Sequence, residues 1–134
     1  AKTRLVGVEP EVSAKYNVVS APVAARMALG AAAASGSDIA VSVTGVAGPT
    51  GGDEVRPVGT VYLGAARGDT VYVQKLFVSR PDRALVRARA AQAALALALR
   101  LAQGKVPAHT KPLAASEQHS AAALDALNEA FLAE

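Results

Sequence analysis

Between Asp38 and Leu63 the chain reads DIAVSVTGVAGPTGGDEVRPVGTVYL, and no other stretch limits its fold as strongly. Ile39, Val41 and Val43 alternate with Ala40, Ser42 and Thr44, the period-two pattern of a β-strand. Even the second set is small, which predicts a strand covered on both faces. The strand breaks at Thr44-Gly45, and another begins at Val58-Gly59-Thr60-Val61-Tyr62. The fourteen residues from Gly45 to Val58 contain four glycines and two prolines. Ordering so much glycine is entropically costly. A compact domain seldom keeps such a loop between strands unless a ligand or partner uses it.

Around this centre the pattern predicts alternating elements. Residues 1–8 read as a short helical or turn segment. Ser20 suits a helix N-cap and Pro22 its first turn. Val23, Met27, Gly30 and Ala34 then form an apolar stripe, and Gly36 ends the helix. Val58–Ala66 and Thr70–Val78 flank Arg67-Gly68-Asp69, a hairpin signal. Ser79 is the expected cap of the next helix, with Pro81 and Asp82 in its first turn. Its inward stripe is Val86, Ala90, Ala93, Leu97 and Leu101, its polar face carries Arg83 and Arg87, and Gly104 stops it. Residues 104–115 read as a linker, and 116–133 as an amphipathic helix with Leu124, Leu127 and Phe131 on one side. That helix packs on its own domain or on a second copy. The order gives an α/β class with a mixed sheet, since the hairpin demands one antiparallel pair.

Size and composition narrow the function. The 134 residues suit one domain, and a core from a chain with 4% aromatics must be aliphatic and alanine-rich. There is no cysteine, which fits a reducing cytoplasm and excludes disulfides and thiolate chemistry. Two histidines without cysteine argue against a zinc site. The net charge of +3 favours anionic ligands in general. Arg80, Arg83, Arg87 and Arg89 cluster without interleaved aromatics, which argues against nucleic acid. No apolar run approaches the roughly 20 residues that span a bilayer, and no signal peptide is present. The chain opens on Ala1 rather than Met, which points to missing upstream residues.

The glycine-rich loop leaves a strand at its C-terminal end, where open α/β sheets bind ligands. Glycine N–H groups can approach an anion or a carbonyl oxygen without Cβ interference. The loop has neither the Gly-Lys-Ser/Thr of a P-loop nor G-x-G-x-x-G. Its alternatives are a ligand site or a purely structural Ω-loop. Thr44 places a hydroxyl at the strand end, though it is equally an ordinary strand former. Arg83 and Arg87 can hold a phosphate, or can be a solvated helix face. Asp53 and Glu54 form no paired-acid arrangement, and no serine has an activating neighbour in sequence. Residues alone therefore lead to an anion or carbonyl site and no further.

The same stretch resembles the C-terminal domain of the competence/damage-inducible CinA family. That family shows Gly-(Ile/Val)-Ala-Gly-Pro-x-Gly-Gly, a few residues, then Lys/Arg-Pro-Val-Gly-Thr-Val-Tyr/Trp, here Gly45 to Gly52 and Arg56 to Tyr62. AKTRLVGV is similar to its Asn-Glu-Ala-Lys start, NVVSAPVAARMALGA to its Gly-Ala-Val-Ser helix, and PDRALVRARAAQAAL to its Gly-Asp-Arg helix. The resemblance covers roughly residues 1–103, leaving 104–115 as linker and 116–134 as the terminal helix. It implies a three-layer α/β/α sandwich, incomplete at its N-terminus.

It also implies a cytoplasmic nicotinamide mononucleotide amidohydrolase, a homodimer that needs no cofactor or metal. The family's nucleophile is a serine in Glu-Ser-Cys-Thr-Gly-Gly, which this sequence lacks, so the chain is expected to be inactive alone. Lys2 is similar in position to the family's catalytic lysine. Thr44, Gly45, Ala47, Gly48, Gly51, Gly52, Arg83 and Arg87 become the implied substrate-binding set. Pro81 stands where the family has Gly, and Asn17 replaces another Gly. The alternative is a non-catalytic nucleotide-binding or interaction module.

Overall fold

A computed structural model describes residues 8–48, 51–79 and 82–133. All but Val8 of the segment expected over 1–8 lies outside them, and so does Lys2. The elements are α1 (Pro10–Tyr16), α2 (Ala21–Ser35), β1 (Ile39–Gly45), β2 (Thr60–Arg67), β3 (Thr70–Phe77), α3 (Arg83–Ala102), β4 (Lys111–Ala114), a 3-10 turn (Ala115–Glu117) and α4 (Ala121–Leu132). The strands lie in the order β1-β2-β3-β4. Helices α1, α2 and α4 cover one face and α3 covers the other. The α/β class and the three layers are as expected. The three pairings among β1, β2, β3 and β4 are all antiparallel, where the sequence led us to expect a mixed sheet.

Local chemistry sets the boundaries. Ser20 caps α2 by accepting from Val23 N–H, and Gly36 closes it at φ 69°. The β2–β3 turn falls at Gly68, φ 63°, and Thr70 pairs with Arg67 across it. Asp82, not Ser79, caps α3: its carboxylate accepts from Ala84 N–H at 3.0 Å. A carboxylate directly before the first turn competes well for that position.

The α2 stripe is rotated from the one expected. Ala21, Ala24, Ala25, Ala28 and Leu29 face the core; of the expected stripe Val23 is buried, but Met27 and Gly30 are half-buried and Ala34 is exposed. The cause is close approach. A Cβ on Gly64 would lie 2.4 Å from the Ala24 carbonyl oxygen, and Ser42 Oγ donates to that same oxygen at 2.6 Å. Only a helix face of alanines lets its backbone rest this near a sheet. On α3 the expected stripe holds: Val86, Ala90, Leu97 and Leu101 are buried and Ala93 is partly buried.

Strand β1 is not sealed on both faces. Ser42 and Thr44 are buried under α2, but Val43 on the α3 side is 40% exposed. Helix α3 reaches Ile39 and Val41 and leaves the loop end of β1 open. The expected linker at 104–115 contains β4, whose Leu113 pairs with Val71 of β3. The last helix starts at Ala121 rather than 116, capped by Ser120. Leu124, Leu127 and Phe131 are buried within this chain as one cluster with Tyr62, and the Phe131 ring meets the Tyr62 ring edge-on at 5.7 Å.

Candidate functional site

The glycine-rich loop is tied at its base by backbone bonds. Val46 N–H donates to Thr60 O at 2.8 Å and Gly59 N–H to Val46 O at 2.8 Å. Between them the chain turns on Gly48 (φ 87°) and Gly51 (φ 101°), a region disfavoured for side chains with a Cβ. Gly52 is needed for space instead, because a Cβ there would sit 2.6 Å from Val58 N. On the return leg Asp53 Oδ1 accepts from Val55 N–H at 2.9 Å and Arg56 N–H at 2.6 Å, a local side-chain turn.

Two cationic side chains hold this loop. Arg83, first residue of α3, donates from Nη1 to Gly48 O at 3.1 Å. Arg56 donates from Nη2 to Tyr16 O at 2.7 Å and from Nε to Val19 O. At the loop's start Thr44 is buried, and its hydroxyl donates to Val18 O at 2.9 Å. The α1–α2 junction, residues 16–19, therefore grips both ends of the loop. Asn17 makes that junction possible by adopting φ 81°, with its Oδ1 accepting from Val19 N–H at 3.0 Å. The tolerance expected of asparagine at a glycine position is what the backbone uses.

Of the sequence-predicted residues, Thr44, Gly45, Ala47, Gly48, Gly51 and Gly52 lie on one loop, and Arg83 joins them through Gly48. Arg87 is exposed one turn further along α3. Ala47 packs against the α3-side core cluster. Lys2 is outside the described residues, as are the loop's Pro49 and Thr50. A model of the CinA C-terminal domain family matches residues 1–102. This chain belongs to that family.

Among its CinA relatives, a CinA-like protein from Geobacter sp. (strain M21) is 51% identical over 87 residues, or 65% of this chain and 21% of that protein. The nicotinamide-nucleotide amidohydrolase PncC of Escherichia coli (strain K12) is 43% identical over 97 residues, 71% of this chain and 58% of that protein. The crystal structure of competence/damage inducible protein CihA from Agrobacterium tumefaciens superposes with a TM-score of 0.71 at 34% identity, covering 76% of this chain and 62% of that one. The chain spans less than two thirds of each of these CinA proteins. Strand β4 and helix α4 fall outside the residues the family model matches.

Arg56 stood in the quoted motif and Asn17 was noted at a family Gly, but the bonds between Arg56 and the 16–19 junction were not expected from sequence. Their partners are 40 and 37 residues away from Arg56, so only the fold brings them together. A cavity of about 400 Å³ lies beside them, lined by Ser13, Lys15, Tyr16, Asn17, Val18 and Arg56. A larger one, about 560 Å³, sits at the opposite end of the sheet near Ser37, Asp38, Arg67 and Gln118, away from the CinA loop. We therefore place the candidate site at the loop. Among the described residues no group of His, Cys, Asp and Glu could hold a metal ion, and no helix is long and apolar enough to cross a membrane.

Proposed function

We propose that this chain is the nucleotide-binding part of a CinA-type amidohydrolase that converts nicotinamide mononucleotide to nicotinic acid mononucleotide and ammonia. The observation that carries this reading is the Arg83 bond to Gly48 O, which sets a guanidinium beside main chain freed by glycine. The likeness to PncC, named a nicotinamide-nucleotide amidohydrolase, supports the class of substrate.

The roles follow from the donors and acceptors. Amide hydrolysis needs a nucleophile, a base for its proton and donors for the oxyanion. Loop N–H groups at Gly45, Ala47, Gly48, Gly51 and Gly52 supply donors for an oxyanion or phosphate. Arg83 keeps donors beyond the one spent on Gly48, and with Arg87 neutralises the phosphate. The Thr44 hydroxyl gives its proton to Val18 O, so it meets a ligand as an acceptor, suited to a carboxamide N–H. Lys2 is the base, which requires burial or nearby positive charge to lower its pKa. The sequence contains no cysteine and hence no Glu-Ser-Cys-Thr-Gly-Gly, so the reading assigns the nucleophile to residues outside these 134. We also infer a cytoplasmic homo-oligomer, a dimer; the exposed Leu95 and Leu99 of α3 favour self-association.

Calorimetric titration with nicotinamide mononucleotide, and ammonia release by the complete gene product, test the reading. Binding here and turnover there are expected, with Lys2→Ala abolishing most of the turnover. Near-normal activity in that variant would remove the lysine from the mechanism. The absent serine motif favours a second reading, a non-catalytic nucleotide-binding module. Binding without ammonia release from the complete protein selects it.

A further inference from the structure

Helix α4 lies beyond the family match, yet it touches the junction that holds the loop. Asp125 of α4 accepts a hydrogen bond from the Tyr16 hydroxyl and pairs with Lys15 Nζ at 3.2 Å. Tyr16 is the last residue of α1, and its backbone carbonyl is the acceptor of Arg56 Nη2. One residue thus bonds to the terminal helix through its side chain and to the glycine-rich loop through its main chain.

The junction transmits position because it is internally braced. Asn17 O accepts from Ser20 Oγ at 2.8 Å, and Asn17 Oδ1 accepts from Val19 N–H. Arg56 presents its donors in a rigid planar fork, so Tyr16 O and Val19 O must keep a fixed separation for both to be bonded. A shift of Tyr16 breaks that match. We propose that Asp125 is a positioning residue for the glycine-rich loop, acting through Tyr16 and Arg56, so that the C-terminal helix sets the loop's geometry. A contiguous chain of contacts becomes a coupling only when perturbing one end moves the other.

The functional consequence rests on the reading proposed above, but the test needs no ligand, so either can fail without the other. Amide hydrogen exchange is followed on the 134-residue chain for wild type, Asp125→Ala, Tyr16→Phe and the double variant. Peptides covering 44–59 are expected to lose protection by roughly two- to tenfold in each single variant, the effect of one hydrogen bond. The double variant is expected to lose no more than the larger single one, since both cut the same link. Peptides from β3 should change by less than about twofold. Tyr16→Phe removes one oxygen and keeps the buried ring, so it reports on the link even where loss of Asp125 unsettles α4. Unchanged exchange over 44–59, an equal rise in β3, or additive losses in the double variant would each overturn the proposal.

Discussion

At Gly64 the backbone of α2 and the sheet come so close that no side chain fits between them. Replacing this glycine with Ala forces a methyl to within 2.4 Å of the Ala24 carbonyl oxygen, a backbone atom of a packed helix. Gly64→Ala is expected to lower stability by about 1–3 kcal/mol, as overpacking does, measured by urea unfolding. A variant as stable as wild type would show that α2 can lift off the sheet freely. Single residues were readable where their role is local. Ser20 and Gly36 bound α2 as expected because a cap involves only its own turn. Asn17 took the positive φ for the same reason. The α2 stripe was misread because an alanine-rich helix is apolar on every side and periodicity has no contrast to report. What decided it was how near Ala24 could come to Gly64, a fact about two elements rather than one. Arg56 showed in sequence only as a motif position; its bonding role was hidden in the same way, its acceptors being carbonyls of a distant segment.

At the scale of elements, the helices on the α2 face are joined by titrating contacts. Buried Arg26 of α2 donates from Nη2 to Glu9 at 2.6 and 3.0 Å, and this bond holds the Glu9 carboxyl below its ordinary 4.5. The Tyr16 hydroxyl, then Lys15, hold Asp125 below its ordinary 3.8. Groups with lowered folded values add stability above the unfolded value and lose it as pH falls through the folded one. The bonds Asp125 makes raise Lys15 above 10.5, and burial first raises Tyr16 above 10.0, so their contribution is complete below those values and fades as pH rises through the folded ones. Thermal stability is therefore expected to fall below pH 4.5, and the fall to be shallower in Glu9→Gln. An identical acid slope in that variant would remove the Glu9–Arg26 pair as its cause. Strand β4 could not be read from sequence: it is four residues long, contains Pro112 and lies at the sheet edge, where a missing N–H is tolerated. Helix α3 was readable because its polar and apolar faces differ near its start.

For the whole molecule, the order of layers was readable and the sheet's direction only in part. The hairpin announced one antiparallel pair; the pairings of β1 and β4 depend on which strands meet after a long loop and a long helix. The outer side of α3 belongs to this scale too. Leu95 is 72% exposed and Leu99 55%, one turn apart, on a helix already apolar toward the core. If the chain associates through this side, Leu95→Glu with Leu99→Glu shifts its sedimentation toward the monomer while nucleotide binding persists. An unchanged sedimentation profile would move the contact elsewhere.

Strand β4 and helix α4 extend the cover of a face that α1 and α2 cover only in part. The ring of Tyr62 and the side chains of Val71 and Val73 are covered in part by Leu113, Leu124 and Phe131, which come last in the chain. During synthesis the three-strand meander and α3 leave the ribosome before any of these does. For that interval the nascent chain carries a greasy, aromatic-bearing surface, the kind that recruits chaperones or sticks to its neighbours. Translation halted near residue 103 would make the exposure permanent, so residues 104–133 are expected to limit aggregation as well as adding β4 to the sheet.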